Sequence, residues 1–255
     1  MLDTDRLLAE VVSSTRMLAE ITGRAEPATP VPTCPEWTLR QLITHVGRAQ
    51  RWATAIVATQ AAEPIAFRDV PDGRLPDDPA ERPDWLRRGA AQLAETVQAA
   101  GAGPVWTHLG PGPAGYWARR MAHETAVHRA DGQITVGERP VIDPVIATDG
   151  IDEWLGLLSA GGDSEQAERL AALPEGTVLH LHTTDDGLDG EWLIRGTGPG
   201  GITVAAGHGK GDAAVRGPAS ALLLVLVRRL PADDPQVEVI GDRTLLDSWL
   251  AATPF

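Results

Sequence analysis

Along the first 135 residues apolar positions recur three and four apart, the period of helices that bury one face. Leu7, Leu8, Val11, Val12, Met17, Leu18 and Ile21 give a first helix over about residues 4–22, with Gly23 as its stop. Residues 26–36 hold four prolines and read as a stiff, extended connection. A second helix runs from Leu39 to about Thr59. Its start is fixed by Thr38 with Gln41 three residues on, a capping box, and by Trp37 and Leu42 as a hydrophobic staple. Residues 63–83 are rich in Pro and Asp and carry no period. A loop that long is either the rim or lid of a site or plain surface. A third helix spans Trp85 to about Ala100, and a fourth spans Ala114 to about Gly132. Four such helices make a bundle, whose sites lie between facing helices.

After Gly132 the period changes. Residues Asp143 to Leu158 form one more amphipathic helix, and Ser164 to Leu173 a short one. Alternation then takes over in Thr177–Thr183, Glu191–Arg195, Ile202–Ala205 and Ala213–Arg216, with turn signals at Asp185-Asp186-Gly187 and Gly198–Gly201. A helix from Pro218 to Leu230, a strand from Val237 to Ile240 and a helix from Leu245 to Ala252 complete the pattern. Strands flanked by helices make this half an α+β unit. The Pro- and Gly-rich stretch from Gly132 to Pro144 marks the junction, so the expected domains are 1–138 and 139–255 in a chain of α+β class.

Composition narrows the function. The 255 residues can bury a real core, and 43% hydrophobic content suits a globular protein. No apolar run reaches the ~18 residues of a membrane span, and the acidic start Met1-Leu2-Asp3-Thr4-Asp5 does not read as a signal peptide. A single cysteine, Cys34, excludes an intrachain disulfide and fits a cytoplasmic protein. The net charge of −13 offers no basic field for nucleic acid. The excess of Arg over Lys, with abundant Ala, Gly and Pro, is a composition associated with GC-rich, for instance actinobacterial, genomes.

Candidate chemistry concentrates in Arg120–Asp131, inside the fourth helix. Glu124 and His128 are four apart and therefore stacked, with Arg120 a turn before and Asp131 nearly a turn after. A carboxylate and an imidazole so placed can grip one metal ion, or form an ordinary i,i+4 pair in a polar patch. His123 leaves the helix about 100° around and belongs to another environment. A third ligand would come from a neighbouring helix, and His45, two turns into the second helix, is the only histidine before residue 108. His180 and His182 share one strand face but have no third donor nearby in sequence, so strand packing or exposure is the plainer reading. His208, between Gly207 and Gly209, reads as solvated. Nothing obvious lowers the pKa of Cys34, which reads as structural.

Cys34-Pro35-Glu36-Trp37-Thr38 followed by His45, then Arg120–Asp131 with its His-Glu-x-x-x-His-Arg-x-Asp order, resembles the mycothiol-dependent maleylpyruvate isomerase family. Asp149-Gly150-Ile151-Asp152-Glu153-Trp154 and Val215-Arg216-Gly217-Pro218-Ala219 extend the likeness over nearly the whole length. The resemblance implies a DinB-like metal-binding four-helix bundle followed by a sterol-carrier-protein-like domain. It implies a zinc or other divalent ion on His45, Glu124 and His128, and mycothiol as cofactor. Arg216 is the match for a family arginine that assists activity, and Arg120 and Asp131 either orient a ligand or hold the thiol cofactor. The implied partners are a small-molecule thiol and an electrophilic substrate, for cis–trans isomerisation of a maleyl keto acid or S-transfer, in a monomer or homodimer. A non-catalytic small-molecule or lipid carrier is the reading of another class; three intact ligand positions argue against it.

Overall fold

A computed structural model describes residues 2–161, 173–198 and 200–255. The chain divides into two compact units, Met1–Pro140 and Val141–Phe255.

Four helices build the first unit. Helix α1 (Thr4–Ile21) is capped by Asp3, whose side chain accepts from the Arg6 amide at 2.7 Å. Helix α2 (Leu39–Ala58) begins at Thr38, and both arms of the expected capping box form with Gln41. Helices α3 (Arg82–Ala99) and α4 (Gly115–Thr135) complete the bundle. Leu18, Leu39, Leu42, Ile43 and Leu86 are among the fully enclosed side chains of its core. Close helix contact is bought with glycine: a Cβ on Gly47 of α2 would lie inside the Trp85 ring of α3. Gly132 works the same way against α1, since a Cβ there would sit 2.8 Å from Leu18 Cδ1. Helix α4 runs through Gly132 to Thr135, and the left-handed turn falls at Gly137, φ +77°.

Two connections differ from their sequence reading. The proline-rich stretch before α2 folds into a short antiparallel pair, β1 (Pro30–Val31) with β2 (Cys34–Thr38). Proline is tolerated because the pair is short and two-stranded, with no central strand to interrupt. The 63–83 loop holds two 3-10 turns, Phe67–Asp69 and Pro79–Glu81, and buries Val70 and Leu75. Buried Arg51 of α2 ties it down through Asp72 at 2.9 Å.

Among the described residues, the second unit contains a five-stranded mixed sheet: β3 (Val178–Thr183), β4 (Glu191–Gly196), β5 (Ile202–Ala206), β6 (Ala213–Gly217) and β7 (Glu238–Gly241). Their spatial order is β5-β4-β3-β6-β7, with β3 and β6 parallel and the other pairs antiparallel. Helix α5 (Pro144–Ser159) meets the face of Trp192, whose indole donates to Asp152 at 2.6 Å. Helix α6 (Ala219–Leu226) is four residues shorter at its end than its apolar run suggests, because Arg228 turns left-handed at φ +59°. Helix α7 (Arg243–Ala252) follows β7. The short helix read at Ser164–Leu173 falls almost wholly outside the described residues. No helix among the described residues is long and apolar enough to cross a membrane.

Candidate metal centre

Helices α2 and α4 bring together three donors, although His45 and Glu124 are 79 residues apart in the chain. His45 Nε2 lies 2.9 Å from Glu124 Oε1, and His128 Nε2 lies 3.3 Å from the same oxygen. One donor atom from each of the three residues fits within 4.8 Å of the others. Arg120 reaches the second oxygen of Glu124 at 2.6 Å. Burial alone raises the Glu124 carboxyl, but the Arg120 charge and the hydrogen bonds from His128 and His45 outweigh it and hold the group well below its ordinary range. The carboxylate is thus ionised and shared between two imidazoles.

Asp131 stands behind His128. Its Oδ2 is 2.7 Å from His128 Nδ1, its Oδ1 accepts from the Thr33 hydroxyl, and the Cys34 thiol lies 3.6 Å from Oδ2. Asp131 is fully buried. Thr33 and Cys34 belong to the β1–β2 turn and strand, so that small hairpin braces the carboxylate. Burial works against a charge on His128, but the bonds and charges of Asp131 and Glu124 raise its pKa above the ordinary imidazole value. Without an ion, the two carboxylates on either side thus favour the doubly protonated ring, with Nδ1 towards Asp131 and Nε2 towards Glu124. With Nδ1–H fixed on Asp131, Nε2 is the nitrogen left to face an ion, the arrangement that orients metal-bound imidazoles. Two imidazole nitrogens and one ionised carboxylate suit zinc and similar divalent ions, so the residues fit the implied metal. Cys34, His128 and Asp131 form an overlapping donor group.

Several neighbours had no place at the donors in the sequence reading. The Trp37 ring packs on His45 and His128, with centroids 4.8 and 5.6 Å away, so it walls the donors as well as closing the helix start. A cavity of about 710 Å³ opens beside His45, lined by Trp37, Arg40, Arg48, Phe67 and Arg74. Phe67 and Arg74 come from the 63–83 loop, which therefore rims a cavity. The basic side chains at 40, 48 and 74 occur in no motif, and only the packing of that loop against α2 gathers them. Arg216 is exposed on β6 of the second unit, in register with His182 of β3 and Glu238 of β7.

Comparison with known proteins bears on the family and the fold. The model of the mycothiol maleylpyruvate isomerase N-terminal domain matches residues 7–132, and that of the C-terminal domain of the same enzyme matches residues 146–248. A search of curated proteins gave no match. Among solved structures, a crystal structure of the mycothiol-dependent maleylpyruvate isomerase is similar at 18% identity and TM-score 0.54, over 93% of each chain. A histidine-to-alanine mutant of that enzyme is similar at 16% identity and TM-score 0.55, again over 93% of each chain. These likenesses concern the fold, an α+β chain with helices first and the sheet second. With both family models in order across the chain, and with the ligand-type residues gathered at one point of the bundle, this protein belongs to the mycothiol-dependent maleylpyruvate isomerase family.

Proposed function

We propose that the chain is a zinc-dependent enzyme that uses mycothiol to transform a small electrophile, by cis–trans isomerisation of a maleyl keto acid or a related thiol addition. The observation that carries the reading is the convergence of His45, Glu124 and His128 beside a cavity of about 710 Å³, a volume suited to a small molecule. An ion held by these three residues would supply Lewis-acid charge that favours the thiolate of a bound thiol, and mycothiol would supply a thiolate whose addition makes a cis double bond single and whose later expulsion restores it in the trans form. Two imidazoles and one carboxylate leave a coordination position open, as catalytic rather than structural sites do.

The protein's own groups hold this arrangement. Glu124 contributes negative charge to the ion, and Arg120 fixes its other oxygen. Asp131 keeps the Nδ1 proton of His128 in place, so that Nε2 is the donor. Arg120 and Asp131 are 6% and 0% exposed, which favours orienting roles over the direct grip on the cofactor that the sequence allows. Arg40, Arg48 and Arg74 line the cavity and suit carboxylates of substrate or cofactor. Arg216, exposed on its strand, is the candidate to hold a substrate carboxylate and stabilise enolate charge.

Glu124→Gln tests the reading, because it keeps size and helix propensity and removes the charge. An ordinary helix salt-bridge partner would lose at most about 1 kcal/mol of stability and no activity. A ligand loses most of its zinc and its mycothiol-dependent turnover while the bundle still folds. Full zinc content and full turnover in Glu124→Gln would remove the centre from the mechanism.

A further inference from the structure

The second unit contains a donor cluster that its sequence hides. His180 and His182 of β3 point to one face of the sheet, opposite to that of Leu179, Leu181 and Trp192. Across the antiparallel ladder Glu191 pairs directly with His182 and joins that face. The fourth donor is brought by topology. The connection from β5 to β6 starts at one sheet edge and must cross β4 and β3 to reach its strand. Its backbone leaves traces of that path. The Gly207 amide donates to the Glu191 carbonyl at 3.1 Å, and the Asp212 amide to that of Val178 at 2.8 Å. A Cβ on Gly209 would sit 2.7 Å from Leu193 Cδ1, and one on Gly211 would sit 3.0 Å from His180 Cβ. Gly207 has φ +123°, a conformation L side chains rarely adopt. Glycine at 207, 209 and 211 thus lets the segment lie close on the sheet and delivers His208 over Glu191.

The polar contacts of the cluster are incomplete as hydrogen bonds. Glu191 Oε1 lies 3.1 Å from His182 Nδ1, and Glu191 Oε2 lies 3.2 Å from His208 Nδ1. His180 Nε2 is 3.7 Å from Oε2, beyond hydrogen-bond reach. That nitrogen is buried with no hydrogen-bond partner, on a residue 6% exposed. An unpartnered buried nitrogen is costly, and a carboxylate already shared by two imidazoles does not satisfy it. Burial pushes the His180 pKa down; Glu191 pulls the other way, and His182 and His208 add to the lowering.

We propose that His180, His182, Glu191 and His208 bind a divalent transition-metal ion of the zinc class, at a site belonging to the second unit alone. One donor atom from each residue lies within 4.8 Å of the others, and a tetrahedral shell at about 2.0–2.1 Å needs separations of about 3.4 Å. His208, whose side chain is 80% exposed, has room to close on the ion. Three imidazoles and one carboxylate fill four positions, so the ion is structural. It clamps the 207–211 crossover onto β3 and β4.

Lys210, the chain's single lysine, lies inside that crossover and is exposed, so a lysine-specific protease cuts this chain at one place. The full chain is stripped with chelator and digested with and without zinc, as wild type, His45→Ala, His208→Ala and Glu191→Gln. Zinc should slow cleavage after Lys210 at least about tenfold in wild type and in His45→Ala, and much less in His208→Ala and Glu191→Gln. Elemental analysis should show one zinc fewer in His208→Ala than in wild type, and the ion of this site retained in His45→Ala. Because His208 sits on an exposed loop, its loss does not threaten the sheet. Zinc that leaves wild-type cleavage unchanged, or protects His208→Ala and Glu191→Gln equally, overturns the site. His45→Ala separates this outcome from failure of the bundle centre.

Discussion

Asp131→Asn alters one atom in a fully buried place and should act at a distance of one imidazole ring. The amide oxygen can still accept from Thr33, so the amide N–H₂ is left facing His128 Nδ1, where Oδ2 now stands at 2.7 Å. Nδ1 must then accept, and the imidazole proton moves to Nε2, the nitrogen that faces Glu124. Binding an ion through Nε2 then requires giving up the Asn–His bond inside a site that is 0% exposed. An unsatisfied buried group costs about 1–3 kcal/mol. At about 1.4 kcal/mol per factor of ten, zinc affinity should fall about 10- to 100-fold. The assay is competition for zinc against a chromophoric chelator at pH 8, beside thermal melts of both metal-free proteins. Cys34→Ser is the control: its thiol lies 3.6 Å from the same carboxylate and serine keeps a hydroxyl donor there, so zinc affinity should stay near wild type. A folded Asp131→Asn protein that binds zinc within about threefold of wild type would refute the orienting role. Loss of zinc in Cys34→Ser would instead make the cysteine a ligand.

Three further outcomes are expected. The raised pKa of His128 gives the metal-free protein a stability contribution that is complete below the unfolded value of about 6.5 and disappears as pH rises through the folded value. Zinc binding runs the other way and weakens as pH falls through the folded value, because the ion must displace the Nε2 proton; melts with and without chelator between pH 5 and 9 check both signs. Gly47→Ala should destabilise the bundle by about 1–3 kcal/mol through overpacking against Trp85, which is 1% exposed and bonded to the Asp72 carbonyl, as urea unfolding would measure. Arg216→Ala should lower mycothiol-dependent turnover while elemental analysis shows unchanged zinc at the bundle centre; loss of that zinc would give Arg216 a structural role instead.

Local physics determined the elements of this protein from its sequence. Thr38 and Gln41 cap α2 as the capping box requires, a property of four consecutive residues and independent of the rest of the fold. The change of apolar period from three-and-four to two separated bundle from sheet, because a helix and a strand turn alternate residues to one face at different intervals. Glu124 above His128 was legible for the same reason. Tertiary structure decided what those faces meet. Period reports that a side is buried, but not which residue of another element lies across from it; that depends on helix rotation and strand register, set by the packing of the whole unit. So Gly132 looked like a helix stop and is a contact with Leu18. The contacts of Asp131 with Thr33 and Cys34 form only when the β1–β2 hairpin closes on α4, and Trp37 meets His45 and His128 only in the packed bundle. The clearest case is His180 with His182, a bare pair in sequence. The ladder places Glu191 across from it, and the strand order forces the next connection, carrying His208, over the same face.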